Sequence, residues 1–249
     1  LSMEGMRPFA YTISTFTLYR PFEMVRNDIC YQNLPVTIVG MGAGTIYSTL
    51  GATHLTQEDI SIARSIPNMN IIAPCDPNEL KDVIHYCSTS SKSPIYLRIG
   101  KSGEKNFTEN SPDKWSFGKI RKIFPGRDIC FLTFGPIVRK AFEVKDKLKV
   151  KNISAEIYSC HTLKPFDYPG LRKIFKKFKK IIVIEDHSKV GGLSEIVKSF
   201  AYECKYFHNI LSYSLKDKFI HSYGTQEDLQ EKHGISTKKI LKQIKKIKI

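Results

Sequence analysis

Residues 40–59 read GMGAGTIYSTLGATHLTQED, directly after the apolar run Val36-Thr37-Ile38-Val39. The apolar run has the length and β-branched content of a buried strand. The stretch after it holds four glycines and no helical periodicity until Thr56, which is expected to cap a helix over 56–66 that Pro67 ends. A glycine-rich loop that leaves a strand and finishes in Gly51-Ala52-Thr53-His54 brings backbone and one imidazole close to a ligand. The surrounding sequence has to identify the ligand.

Working outward, strand and helix signals alternate. Strands are expected at 8–14, 36–40, 70–73 and 94–99. Between them, helices are expected at 20–32, on Phe22, Val25 and Ile29, at 56–66, and at 77–88. The last begins with Pro77 at its first position and should turn Leu80, Val83 and Ile84 inward. Residues 102–118 lose periodicity and are rich in Gly, Asn and Pro, which marks a domain boundary. A second alternation follows, with strands at 129–134, 155–159, 181–185 and 210–215. Its helices are expected near 137–148, 168–178 and 193–204, with one more at the terminus. Near-continuous apolar strands alternating with helices predict an α/β chain of two domains, each a mostly parallel sheet flanked by helices. The domains are set at 1–108 and 119–249, with 109–118 as linker.

Composition narrows the function classes. The chain has 249 residues, 41% hydrophobic and 25% charged, as in ordinary globular proteins. It contains no run of about 18 apolar residues, so no membrane helix is expected. It begins at Leu1 without a signal-like pattern, so residue 1 is expected to lie inside a longer polypeptide. Six scattered cysteines, with no CxxC pair, suit reduced thiols in a cytoplasmic protein and argue against a zinc site. The net charge of +15 invites a nucleic-acid reading. Much of it, however, comes from lysines at 173–180 and 238–248. In the second stretch Ile240, Leu241, Ile244 and Ile247 recur at helical spacing, as in a terminal amphipathic helix with a solvated basic face.

Two local patterns mislead. Gly40-x-Gly42-x-Gly44 after a strand suggests a dinucleotide fingerprint, with Asp59 near the expected distance. That fingerprint requires a helix to start within the glycine loop, and here ten residues with four β-branched side chains and another glycine intervene. Asp186-His187-Ser188 has the residue types of a catalytic triad, but consecutive residues cannot hydrogen-bond in series. The same segment ends a strand ahead of Gly191-Gly192 and a helix, so it reads either as an anion-binding turn or as a structural connection. A glycine-aspartate-glycine motif followed by asparagine, a common way of holding a magnesium diphosphate, does not occur.

Several stretches agree in order. RPFAYTISTFTLYRPFEMVRND (7–28), the GATH loop and IPNMNIIAPCDPNEL (66–80) resemble the pyrimidine-binding domain of the transketolase family. LKPFD (163–167) and IVIEDHSKVGGLSEIV (182–197) resemble that family's C-terminal domain. The resemblance is close to the separate C-terminal subunit of two-chain transketolases. It is looser to 1-deoxy-D-xylulose-5-phosphate synthase and to the beta subunit of 2-oxoacid dehydrogenases.

The resemblance implies thiamine diphosphate as cofactor and transfer of a two-carbon ketol unit between sugar phosphates or related sugars. The cofactor supplies the bond-breaking chemistry, and the protein positions and polarises it. The resemblance assigns Phe16 as the apolar partner of the aminopyrimidine ring. Ile13 falls where relatives often have another aromatic, and Arg20 matches a family arginine near the cofactor. His54 corresponds to the histidine that faces the reacting carbon and substrate oxygens. A helix opened by Thr56 would help keep its imidazole neutral. Lys101 falls where relatives place a phosphate-binding arginine, and it can act as a point charge without the bidentate fork. Taken without the resemblance, Phe16 reads as core, Arg20 and Lys101 as surface residues, and His54 as an ordinary loop histidine.

The departures bear on substrate. Leu50 stands where many transketolases have an aspartate that contacts substrate hydroxyls, and Gly42 where some have a histidine. The carboxylate that protonates the pyrimidine is expected before Leu1. His187 is set aside because the family's C-terminal domain does not hold the cofactor. Mg2+ is expected on a diphosphate-binding partner subunit or domain and no metal on this chain. The expected assembly is a homodimeric core or heterotetramer, without nucleic-acid or membrane binding. The alternatives are a synthase or dehydrogenase of the types named above, or a non-catalytic assembly module with the same fold.

Overall fold

The computed structural model describes residues 1–246. A first sheet is built from β1 (Phe9–Ile13), β2 (Thr37–Met41), β3 (Asn70–Ile72) and β4 (Ile95–Ile99), paired in the order β1-β2-β4-β3 and all parallel. Its connections carry α1 (Ser14–Leu18), α2 (Phe22–Met24), α3 (Asp59–Ser65) and α4 (Pro77–Thr89). The second sheet comprises β5 (Arg121–Phe124), β6 (Ile129–Thr133), β7 (Ala155–Ser159), β9 (Lys180–Ser188) and β10 (Asn209–Leu215), in the order β10-β9-β6-β7-β5. Its helices are α5 (Val138–Lys149), α6 (Tyr168–Lys177), α7 (Leu193–Glu203), α8 (Gln226–His233) and α9 (Thr237–Ile244). Only β5 runs antiparallel within it.

The central strands form where the sequence is apolar on both faces. Every residue of β6 and β7 is buried, as parallel strands under helices on both sides must be. Strand β8 (Thr162–Lys164) departs from the order of the chain. It leaves the second alternation and pairs antiparallel with β3, so the first sheet closes as β1-β2-β4-β3-β8. The Lys164 ammonium adds two bonds, to the carbonyl oxygens of Arg64 (2.8 Å) and Ile66 (2.6 Å). One apolar cluster then runs through both sheets, from Leu18, Ile38 and Ile71 to Leu132, Phe175 and Phe200.

Four local expectations are corrected. Thr56 does not cap a helix: its backbone pairs with Gly44 in an isolated bridge and its hydroxyl lies 2.6 Å from that of Ser14, so α3 begins only at Asp59. The helix expected over 20–32 is the short α2 followed by a π-helical segment, Val25–Tyr31, and Arg20 lies in the turn before it. Helix α4 buries Glu79, Val83 and Cys87, and Ile84 is 40% exposed. The face is rotated because Glu79 is drawn inward to the Cys75 N–H (2.8 Å), the Ser159 hydroxyl (2.8 Å) and Arg121 (3.3 Å). The single terminal helix is two, α8 and α9. Ile240 and Ile244 of α9 are buried as expected, and Ile247 and Lys248 lie outside the described residues.

Residues 102–118 contain no helix or strand, yet they are anchored. Asp76, the N-cap of α4, also accepts the backbone N–H groups of Phe107 and Thr108, both at 2.7 Å. Trp115 and Phe117 pack on Tyr86.

Candidate functional site

The loop after β2 is held shut at its neck. Gly44 and Thr56 exchange backbone hydrogen bonds of 2.9 and 3.1 Å, which closes the chain between them into a compact loop carrying His54. Gly44 has φ +74°, and a Cβ there would come within 2.6–2.7 Å of the Asp186 carboxylate and carbonyl, so both conformation and space require glycine. The buried Asp186 carboxylate receives the Thr45 N–H (3.1 Å) and hydroxyl (2.8 Å) and the side-chain amides of Gln226 (3.1 Å) and Gln230 (3.3 Å). Residues of β9 and α8 therefore fix a loop that belongs to the first sheet.

A second set of bonds fixes the helix that follows. Buried Asp59 accepts from the Tyr96 hydroxyl and from Arg98 Nε, each at 2.8 Å, and Arg98 also donates to the Asp186 carbonyl oxygen at 2.9 Å. His187 donates from Nδ1 to the Ser188 carbonyl at 2.8 Å, while its Nε2 lies 3.8 Å from Asp59. Burial lowers the His187 pKa to about 4, with Arg98 also opposing its charge and Asp59 favouring it. Asp186-His187-Ser188 is thus a joint between the two sheets. Its role was hidden in the sequence because the partners lie at residues 45, 59, 98, 226 and 230. The one local hint is a pair of acidic residues, Glu185 and Asp186, that follows the apolar run 181–184 of the same strand.

Next to this joint lies a cavity of about 280 Å3 lined by Phe16, Tyr19, Arg20, Thr53, Glu58 and Phe219 among others. The Phe16 ring is 36% exposed and meets the His54 imidazole edge to face at 5.4 Å. The Arg20 guanidinium sits 5.9 Å from the Phe16 ring centre, within cation–π range. Thr15, which lines the same cavity, carries a buried hydroxyl oxygen without a hydrogen-bond partner, and the Tyr19 phenol on the same wall lies against Glu58. Burial pushes the Tyr19 phenol up, reinforced by Asp59 and Glu58, and burial also raises Glu58. The Tyr19 phenol therefore stays protonated and can donate. An unpartnered hydroxyl beside an exposed aromatic ring suits a flat ligand with polar edges, so the residues present fit an aminopyrimidine.

The predicted site residues therefore separate into two groups. Phe16, Arg20 and His54 come together; Ile13, half-buried at the end of β1, directly precedes the helix that carries Phe16. Lys101 lies elsewhere, on a larger cavity of about 600 Å3 that Ile46, Arg139 and Glu143 also line, with its ammonium 5.5 Å from the Tyr47 ring centre. Because α3 starts at Asp59, the expected action of its dipole on His54 loses its basis. The His54 Nδ1 is instead 3.0 Å from the Thr53 hydroxyl. Among the described residues no cluster of His, Cys, Asp and Glu could hold a metal ion, and no helix is long and apolar enough to cross a membrane.

Comparison with known proteins gives two family matches. Residues 1–103 match the transketolase pyrimidine binding domain and 118–240 the transketolase C-terminal domain. One subunit of the apulose-4-phosphate transketolase of Phocaeicola vulgatus is 31% identical over 79% of the chain and 63% of its own length. A putative transketolase C-terminal section of Methanocaldococcus jannaschii is 34% identical over 98% of the chain and 76% of its own length. Among solved structures, a split-gene transketolase forming an inactive beta4 tetramer superimposes with a TM-score of 0.86 at 28% identity, over 98% of this chain and 77% of that one. The chain spans less than two thirds of the first of these relatives, and 39% of the 1-deoxy-D-xylulose-5-phosphate synthase of Clostridium tetani that it also matches.

Proposed function

The chain belongs to the transketolase family, and from that premise we propose that it is the pyrimidine-binding and C-terminal part of an enzyme that transfers a two-carbon ketol unit between sugar phosphates or related sugars with thiamine diphosphate. Residues 1–108 would form the pyrimidine-binding domain and the chain from 119 onward the C-terminal domain. The observation that carries the reading is the meeting of Phe16 and His54 beside a cavity whose Thr15 hydroxyl has no protein partner.

When bound, the cofactor supplies the nucleophile for cleaving a carbon–carbon bond beside a carbonyl. This chain's residues supply position and polarity. Phe16 offers an apolar face to the aminopyrimidine, with Ile13 behind it on β1. Arg20 brings positive charge to the same rim. His54 donates a hydrogen bond to the substrate oxygen that gains charge, or moves a proton there. Lys101, on the neighbouring cavity, attracts a sugar phosphate as a point charge.

A diphosphate-binding subunit or domain supplies the Mg2+ site, and the assembly is a homodimeric core or a heterotetramer. The need for such a partner is supported by a relative that is itself one subunit of a transketolase, and by the split-gene structure. Six free cysteines, all but Cys204 buried, support a cytoplasmic setting.

The test is reconstitution. The chain, its diphosphate-binding partner, Mg2+ and thiamine diphosphate are assayed with a ketose phosphate donor and an aldose acceptor. Turnover is expected only with both parts present, and His54→Ala should lower kcat by roughly 10²- to 10⁴-fold. Turnover by the chain alone would overturn the need for a partner, and an unaffected His54→Ala pair would favour a non-catalytic module. The matches to 1-deoxy-D-xylulose-5-phosphate synthases support a second reading, separated by product analysis with pyruvate in place of the ketose phosphate.

A further inference from the structure

Residues 216–224 leave β10 for α8 and pass beside the loop that carries His54. Ile220 is buried with Leu55 and Leu229 in a small apolar cluster, which fastens this segment of the C-terminal domain onto the pyrimidine-domain loop. On either side of that anchor stand two uncovered aromatic residues, Phe219 at 69% exposure and Tyr223 at 70%. What sets these two apart from the chain's other exposed aromatics is their place beside the loop that carries His54. Phe219 lines the same cavity as Phe16 and Arg20. Tyr223 lies against Gly51: a Cβ built there would stand 3.2 Å from the phenolic oxygen.

Gly51 is a sensitive place. Its carbonyl accepts the His54 N–H at 3.0 Å, so it forms the base of the turn that presents the imidazole. It also follows Leu50, an exposed apolar residue at the position where the family resemblance would place a hydroxyl-binding aspartate. The loop's own side chain at that position makes no hydrogen bond to a sugar, whereas a phenol beside it both donates and accepts.

We propose that Tyr223 is a specificity-determining residue: its hydroxyl binds a hydroxyl of the sugar chain, a contact that the apolar Leu50 cannot make, while Phe219 forms a wall of the cleft. The inference rests on the ketol-transfer reading. The hydrogen bond is neutral on both sides, so its removal should cost about 3- to 10-fold in affinity.

The test uses the reconstituted two-part enzyme with Tyr223→Phe, which deletes one oxygen from an exposed side chain. KM and kcat are measured for a hydroxylated sugar substrate and its deoxy analogues, along with affinity for thiamine diphosphate. The variant should raise KM for the hydroxylated substrate about 3- to 10-fold and lose the wild type's discrimination against one deoxy analogue, with kcat and cofactor affinity held within about 2-fold. An unchanged KM would overturn the proposal. So would an equal rise for every deoxy analogue, or an effect confined to the affinity between the two parts, as an interface residue would give. A wild-type assembly without ketol transfer would overturn the functional reading itself, and this inference with it, which separates the two failures.

Discussion

Asp186→Ala tests whether one carboxylate holds the glycine loop to the rest of the molecule. Asp186 is buried and accepts four hydrogen bonds from three residues. Its removal leaves the Thr45 N–H buried without a partner, at a cost of about 1–3 kcal/mol. The Thr45 hydroxyl loses its acceptor and keeps only the Gln230 amide, 3.3 Å away, as a donor to it. That change and the loss of one of the Gln230 amide's two acceptors add about 1–2 kcal/mol more. Gln226 is half-buried and can turn to water, so it adds little. The total is about 2–5 kcal/mol, a large share of the roughly 5–15 kcal/mol that stabilises an ordinary domain. Asp186→Asn keeps one acceptor oxygen and should lose about half as much.

Urea denaturation followed by circular dichroism gives the stability difference, and amide exchange locates it. Exchange should quicken first at residues 44–56, because the carboxylate acts at the neck of that loop. An Asp186→Ala loss below about 1 kcal/mol, or faster exchange spread evenly over both sheets, would refute the assignment.

Further outcomes follow from other contacts. Gly44→Ala should destabilise far more than Gly103→Ala, read as thermal melting shifts: both glycines have positive φ, but a Cβ collides with Asp186 only at Gly44 and meets open space at Gly103. The unfolded chain protonates His187 near pH 6.5, whereas in the folded chain burial delays this to about pH 4. The unfolded state therefore binds more protons in that window, and stability should fall as pH drops through it, by about 2 kcal/mol at pH 5. His187→Gln should flatten that part of the denaturation profile, leaving the smaller contributions of His161 and His233, whose pKa values burial also lowers. On α4, Val83→Ala should cost about 2 kcal/mol and Ile84→Ala under about 1 kcal/mol in urea melts, the reverse of what equal burial would give.

The contrast between what the chain announces and what it conceals follows from range. Strands β2, β6, β7 and β9 are legible because burial on both faces writes itself as local apolar runs. The start of α4 is legible in the same way, from Asp76-Pro77-x-Glu79. Strands β5 and β8 have four and three residues and gain their partners only when distant segments arrive. Thr56 has the chemistry of a helix cap, but Ser14 and Gly44 claim its hydroxyl and backbone first. Ile84 fits an apolar helical stripe until Glu79 turns the helix. At the candidate site, the encounter of Phe16 with His54 follows the order of motifs along the chain. The separation of Lys101 into another cavity, and the arrival of Tyr223 beside Gly51, depend on how the two sheets are docked.

Strand β8 has a consequence for how this architecture can be divided or recombined. A fragment cut at the polar stretch after residue 101 would carry away every helix of the first sheet and still leave the β3 edge bare, a row of unpaired peptide groups open to any extended chain. A chimera that exchanged the second part for a foreign one would have to import a matching three-residue strand, with a lysine reaching back to the end of α3. The smallest transplantable piece is therefore discontinuous in sequence: the two sheets are inherited together, however separable their motifs look on paper.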